Sequence, residues 1–120
     1  MIYLYIFIGG GLGSLARYLV GKVTSATIAV DFPLGTFFAN MIACLILALV
    51  TVMISPRSEE YQWVQPLVLI GFCGGFSTFS TFSNETFDLL DAGNHLLAIL
   101  NILISVAVGI GLIYFIRSKA

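Results

Sequence analysis

GFCGGFSTFSTFS, residues 71–83, carries the strongest structural signal in this 120-residue sequence. Glycines interrupt an otherwise apolar run, and a repeated Phe-Ser-Thr triplet follows them. Hydroxyls and freed backbone groups at membrane depth are costly unless they face a cavity or another protein surface. The stretch is therefore predicted to interrupt a hydrophobic helix and to be a functional site.

The composition is that of an integral membrane protein. The chain is 59% hydrophobic and 9% charged, with a mean hydropathy of +1.05. About 20 apolar residues cross a bilayer as a helix. Uncharged runs of that order extend over residues 1–16, 32–56, 61–84 and 96–116. We therefore predict an all-α membrane protein with four transmembrane helices in a single domain, residues 1–120. The first run lacks a basic leader and a cleavage site, so a removable signal peptide is the weaker alternative.

The basic residues give little information on orientation. Four spans place Arg57, Arg117 and Lys119 on one side of the membrane, against Arg17 and Lys22 on the other. Orientation normally follows a clear excess of Lys and Arg on the cytoplasmic side. Near parity suggests insertion in both orientations and an antiparallel homodimer, and the alternative is one orientation fixed by another cue. The net charge of -1 gives no indication of a nucleic acid partner.

Local signals predict where the spans begin and end. Asp31 is a candidate helix cap, and Pro33 fits the first turn of the second span, where a missing N–H does no harm. Ser-Pro-Arg-Ser at 55–58 is expected to end that span. Ala-Gly-Asn at 92–94 is a turn signal that should end the third span and let the fourth begin near His95.

Glycines in the third span weaken helix propagation near Gly74 and Gly75. An unwound segment there would free carbonyl oxygens for a cation, and the following half-helix would present N–H donors to an anion. Ser77 and Thr78 could cap that half-helix. The alternative is that Gly71-x-x-x-Gly75 only allows close helix packing and that the hydroxyls bond back to the helix.

Phe76, Phe79 and Phe82 recur at every third residue. Three residues turn an α-helix by about 300°, so these rings drift around the surface and face different neighbours. Phenylalanine has a positive edge, and Ser and Thr hydroxyls can donate hydrogen bonds. Such a lining favours a small, poorly polarisable anion. Basic residues are almost absent from the spans, so hydrogen bonds rather than fixed charges would attract the ion.

Distinctive motifs lie in three of the spans. The first span carries GGGLGSLARY at 9–18, the second carries PLGT at 33–36 and AN at 39–40, and the third carries the stretch at 71–83. With these motifs the chain closely resembles, nearly end to end, the CrcB/Fluc fluoride channels, a family of small dual-topology membrane proteins. The resemblance implies a homodimer of inverted subunits with two fluoride pores, in the lipid bilayer of a bacterial inner membrane. It also implies a structural sodium ion (Na+) at the dimer centre, bound by the backbone carbonyls of Gly74 and Ser77 at a break in the third helix.

The resemblance also implies roles for individual residues of the pore. Phe79 and Phe82 match the pore phenylalanines, whose ring edges would contact the ion from opposite subunits. Polar pore positions are matched by Asn40, Ser80, Thr81, Ser105 and Asn101. The fourth span varies within the family, and Ser105 is a better match than Asn101.

Other matched positions lie beside the pore. Arg17 matches a basic residue near the aqueous vestibule, although the alternative is simple snorkelling towards the interface. Glu85 matches the acid that follows the phenylalanines. Ala43 departs from the family, which often has glycine there, and this could alter helix packing.

The hypothesis is passive, fluoride-specific conduction that exports fluoride from the cytoplasm. No nucleophile, base and orienting group converge, so an enzyme is not indicated. The strongest rival is a dual-topology drug/proton antiporter, which would need an acid in its first span. Residues 1–18 contain none. A third alternative is a non-transporting subunit, in which the Phe-Ser-Thr stretch serves assembly alone.

Overall fold

A computed structural model describes residues 1–54 and 59–119, and within these ranges the regular structure is entirely helical. The helices are α1 (Ile2–Thr27), α2 (Leu34–Met53), a 3-10 turn (Glu59–Tyr61), a π-helix (Gln65–Phe72), α3 (Cys73–Phe76), α4 (Phe79–Asp91) and α5 (His95–Ser118). Four helical stretches are long and apolar enough to cross a membrane, namely α1, α2, Gln65–Asp91 and α5. The predicted all-α fold with four spans is confirmed.

Large apolar side chains cover the outside of the helices, and small residues fill the inside. Phe7 is 80% exposed, whereas Ala39 is fully buried. The core cluster consists of Ala39, Ala43 and Phe76, with Phe72 packed against it. This distribution suits a lipid environment, in which close contact between helices depends on small residues. Ala43 therefore fills a tight position where α2 meets the third span.

The third span begins as a π-helix, Gln65–Phe72, with a proline in its first turn. Pro66 has no N–H to donate, and it lies in the first turn, where none is needed. At the other end, the Cys73 N–H donates to the Val68 carbonyl, five residues back. π-Helical turns are rare and often lie at functional sites. Here the π-helix leads directly into the glycine-rich segment.

Glycines bring α1 and the third span into backbone contact. A Cβ atom on Gly13 would overlap the carbonyl of Phe72, and one on Gly75 would overlap the carbonyl of Gly10. A Cβ atom on Gly71 would lie 3.0 Å from the Cα atom of Gly9. Gly71 and Gly75 therefore do serve close helix packing, as the alternative interpretation of this motif held, although the contacts do not show that packing is their only role.

The helix of the second span begins immediately after Pro33. The first helical residue is Leu34, the N-cap is Pro33, and no side chain caps this end. The prediction that Asp31 caps the helix is wrong, because Asp31 lies two residues before the N-cap and Pro33 has no capping oxygen on its side chain. The expected end signal at 55–58 lies outside the described residues.

The turn between the third and fourth spans has the predicted position. Gly93 has a φ of 85°, a left-handed conformation that favours glycine. The Asn94 N–H donates to the Leu89 carbonyl at 2.8 Å, and the Gly93 N–H donates to the Leu90 carbonyl at 3.1 Å. These two bonds form a Schellman motif at the end of α4. The fourth span begins at His95 as predicted.

Candidate functional site

Two residues in extended conformation separate α3 from α4. Ser77 has φ -82° and ψ 156°, and Thr78 has φ -153° and ψ 123°. The Ser77 N–H still donates to the Cys73 carbonyl at 2.9 Å, as in an α-helix. The Thr78 N–H has no such helical acceptor, so it needs another partner. The side chains that supply such partners define the site.

Asn40 of α2 binds the backbone of this segment. Its Oδ1 accepts a 2.8 Å hydrogen bond from the Thr78 N–H, and its Nδ2 donates to the Thr78 carbonyl at 3.3 Å. A side-chain amide thus pairs with both polar groups of one extended residue, as a neighbouring strand would. Asn40, predicted to face the pore, is half-buried and fixes Thr78 in place.

The two predicted caps behave differently. Thr78 is the N-cap of α4, and its Oγ1 accepts a 3.1 Å hydrogen bond from the Thr81 N–H. Thr78 Oγ1 also lies 3.3 Å from Ser80 Oγ. Ser77 Oγ instead donates to the Cys73 carbonyl at 2.7 Å. The capping prediction is confirmed for Thr78 and wrong for Ser77, whose hydroxyl bonds back to α3.

The carbonyl oxygens of Gly74 and Ser77 are among those that lose their usual helical donors at this break. In a continuous helix the Gly74 carbonyl would accept from the Thr78 N–H, which donates to Asn40 instead. The Ser77 carbonyl would accept from the Thr81 N–H, which donates to the Thr78 side chain. Gly74 is exposed, and a Cβ atom built on it would meet no atom within 4 Å. These are the two carbonyls that the family resemblance implies as sodium ligands.

The predicted pore phenylalanines lie at the start of α4. The ring centroids of Phe79 and Phe82 are 6.1 Å apart, with an angle of 40° between the ring planes. Phe79 is 79% exposed, whereas Phe82 is half-buried. Ser80 is exposed and Thr81 is half-buried, so hydroxyls and rings share the same helical turn. In a lipid environment a surface of this kind requires a partner or an aqueous path.

An open cavity of about 770 Å³ lies next to this turn. Its polar lining includes Arg17, Lys22, Asp31, Thr36, Thr81 and Glu85. Arg17 is half-buried, and its Nε donates to the Gly75 carbonyl at 3.1 Å. Simple snorkelling therefore does not describe Arg17, because its head group is bound to the third span. Thr36 donates its hydroxyl hydrogen to Glu85 Oε1, which joins α2 to α4.

Asn101 and Ser105, the candidate pore residues of the fourth span, belong to one series of connected hydrogen bonds. Asn101 is 1% exposed, and its Nδ2 donates to Thr86 Oγ1 at 2.9 Å. Thr86 donates in turn to the Phe82 carbonyl at 2.8 Å. Ser105 Oγ donates to Asn101 Oδ1 at 3.3 Å and is itself half-buried. Asn101 therefore bonds to protein groups on both sides, whereas Ser105 has an accessible surface.

A protein-family model matches the chain from residue 4 to residue 116. The matching family is described as "CrcB-like protein, Camphor Resistance (CrcB)". The chain belongs to the CrcB family. Every candidate site residue lies within the matched region, from Arg17 in α1 to Ser105 in α5.

Relatives in distant organisms agree with this membership. A Maridesulfovibrio salexigens protein is 46% identical over 83% of this chain and 79% of its own length. A Coxiella burnetii protein is 43% identical over 89% of this chain and 87% of its own length. A Pyrococcus abyssi protein is 44% identical over 92% of this chain and 89% of its own length. Each of the three is named fluoride-specific ion channel FluC. This CrcB-family chain, with its four membrane-spanning helices, is a multi-pass membrane protein whose relatives are channels and not enzymes.

Sequence reasoning missed two threonines that hold the site together. Thr36 belongs to a motif of the second span, but its bond to Glu85 was not predicted. No motif in the sequence points to Thr86, although it lies one helical turn after Phe82 and therefore on the same face of α4. That spacing of four is the signal that could have identified it.

Proposed function

We propose that this protein is a fluoride-specific channel through which fluoride leaves the cytoplasm passively. The observation that carries this proposal is the pairing of Phe79 and Phe82 beside a segment whose backbone is held by Asn40. That arrangement occurs in a family whose relatives are named for fluoride. The resulting export would reduce the toxicity of fluoride.

The chemistry of this turn suits a small anion. Fluoride sheds tightly held water only if hydrogen-bond donors and positive ring edges replace it. Ser80 and Thr81 place hydroxyls on the same turn as the two rings. The N-terminal end of α4, which starts at Phe79, adds the positive end of a helix dipole. No basic residue lies on this turn, so the path would bind the ion weakly enough for it to leave.

We further propose that two copies of the chain assemble as an antiparallel homodimer with two pores. Phe79 is 79% exposed, and Ser80, Ser83 and Asn84 are exposed on the same helix. Polar groups at membrane depth are costly against lipid, so a protein surface is the better neighbour. The near parity of basic residues between the two sides supports inverted subunits.

A structural sodium ion at the dimer centre completes this proposal. The carbonyl oxygens of Gly74 and Ser77 have lost their usual helical donors, and Gly74 is exposed. Carbonyl oxygens at an interrupted membrane helix are suitable ligands for Na+. The residues present therefore fit the ion, with the break in the third span near Gly74 and Ser77. When bound, Na+ would link the interrupted spans of two subunits.

Fluoride efflux from liposomes tests the proposed function. Vesicles that contain the purified protein and potassium fluoride are diluted into fluoride-free buffer, and a fluoride electrode follows release when valinomycin is added. Rapid release without a proton gradient is expected, while vesicles loaded with chloride retain it. An antiporter would instead require a proton gradient, and a non-transporting subunit would release neither ion. Either of these results would contradict the proposal.

A further inference from the structure

Asn101 and Thr86 form a buried polar pair between α5 and α4. Asn101 is 1% exposed and Thr86 is 7% exposed. A buried polar group is costly unless it is hydrogen-bonded. Here the pair is satisfied, because Asn101 donates to Thr86 at 2.9 Å and Thr86 donates to the Phe82 carbonyl at 2.8 Å. The pair thus connects α5 to the turn of α4 that carries the two phenylalanines.

The Phe82 carbonyl fixes the donor and acceptor of each hydrogen bond in the series that runs through Thr86 and Asn101 to Ser105. The Phe82 carbonyl can only accept, so the Thr86 hydroxyl must donate to it. Thr86 Oγ1 must therefore accept from Asn101, which turns the Nδ2 group of Asn101 towards α4. Oδ1 of Asn101 then faces Ser105, 3.3 Å away, and can only accept the hydroxyl hydrogen of Ser105.

This direction has a consequence for Ser105. Its single hydroxyl hydrogen is directed at Asn101, so the accessible side of its oxygen presents lone pairs. A fluoride ion beside Ser105 must compete with Asn101 Oδ1 for that hydrogen. Asn101 is buried and cannot contact the ion itself. It nevertheless determines whether the Ser105 hydroxyl can donate a hydrogen bond to an ion.

We propose that Thr86 and Asn101 are positioning residues of the ion path. They hold the Phe82 turn against α5 and set the direction of the Ser105 hydroxyl. Neither residue contacts the ion. This inference rests on the proposed fluoride conduction and replaces a direct pore contact for Asn101 with an indirect role.

Variants of Thr86 test the proposal in the liposome assay. Thr86→Val keeps the shape of the side chain and removes the hydroxyl, whereas Thr86→Ser keeps the hydroxyl. We expect Thr86→Val to lower the initial rate of fluoride efflux about tenfold, equivalent to ~1.4 kcal/mol. Thr86→Ser should restore the rate to within about twofold, less than ~0.5 kcal/mol. Equal rates for the two variants would overturn the proposal.

Thr51→Val is the matched control. Thr51 Oγ1 donates to the Leu47 carbonyl at 2.6 Å, which is the same back-bond that Thr86 makes on α4, but it lies on α2 away from the phenylalanines. Fluoride efflux through the Thr51→Val variant should be as fast as through the unchanged protein. If Thr51→Val is as slow as Thr86→Val, loss of any back-bonded hydroxyl would explain the result and the proposal would fail. If the unchanged protein itself releases no fluoride, the proposed function fails instead.

A double variant separates positioning from simple stabilisation. Removing both partners of a buried hydrogen bond is far less destabilising than removing one, because no polar group is left unpaired. In Thr86→Val with Asn101→Leu, Ser105 can donate to a carbonyl of its own helix. We expect the thermal midpoint to return towards that of the unchanged protein while efflux stays about tenfold slower. Recovery of efflux together with stability would reduce the pair to a packing role and refute the proposal.

Discussion

The two halves of residues 71–83 have opposite environments. In the first half, Gly71, Cys73 and Phe76 are buried, and the backbone touches α1. In the second half, Phe79 is 79% exposed, and Ser80 and Ser83 are exposed as well. Ser77 and Thr78, in extended conformation, lie between them.

The contrast indicates how one motif serves two purposes. Helix packing in a membrane requires small residues, which let backbones approach closely. An ion path requires rings and hydroxyls that an ion can reach. The packed half therefore anchors the segment, and the exposed half is the surface on which the proposed subunit contact and ion path would lie. Substitutions in the first half should affect folding, and substitutions in the second should affect conduction.

The largest expected effect is Gly13→Ala, which adds a methyl group where α1 meets the packed half. The new Cβ atom would overlap the Phe72 carbonyl, so the helices must move apart. We expect a loss of about 3 kcal/mol of stability, the upper end of typical overpacking costs. Gly11→Ala is the control, since its Cβ atom meets no atom within 4 Å. Thermal unfolding in detergent measures both, and equal midpoints would show that the close contact at Gly13 does not contribute to stability.

Replacement of Phe79 or Phe82 by alanine should remove conduction and keep the fold. We expect at least a 100-fold drop in fluoride efflux, equivalent to ~2.7 kcal/mol, because the ring edges that replace water are lost. Phe7→Ala is the control, because Phe7 is 80% exposed, as Phe79 is. Size-exclusion chromatography should give the same elution volume for all three variants as for the unchanged protein. A channel that conducts without either ring would contradict the assignment of the exposed half.

Asn40→Leu should weaken the connection between the two halves. The Thr78 N–H and carbonyl would lose the partners they have at 2.8 and 3.3 Å. The Thr78 groups are half-buried, and leaving such polar groups unpaired costs about 1 kcal/mol each. Both the thermal midpoint and the efflux rate should therefore fall. An unchanged midpoint would mean that the extended segment does not depend on Asn40.

The smallest effect is expected from Thr78→Val, which removes the N-cap of α4. Loss of such a cap costs about 1 kcal/mol. Thr78→Ser keeps an oxygen that can accept from the Thr81 N–H, so its thermal midpoint should stay close to that of the unchanged protein. If the two variants unfold at the same temperature, the cap contributes nothing to α4.

Part of the site could be predicted from the sequence because its signals are local. The repeated triplet drew attention to Phe76, Phe79 and Phe82, and the family resemblance selected Phe79 and Phe82. The hydroxyls after the glycines gave Ser77 and Thr78 as candidate caps, of which only Thr78 caps α4.

Asn40 was identified by resemblance, but its two bonds to Thr78 were not foreseen. Their partners are 38 residues apart in the sequence. Thr36 and Glu85, 49 residues apart, were missed as a pair for the same reason.

The four spans and the turn at Gly93 follow from the sequence alone, because hydrophobic length and turn chemistry act over a few neighbouring residues. Only the tertiary structure decided that Gly71 and Gly75 pack while Gly74 is exposed, although all three are the same residue within five positions. It also decided that Arg17 binds a carbonyl 58 residues away and that Asn101 binds Thr86. Such choices depend on which helix faces meet, and a face acquires its partner only when the helices pack.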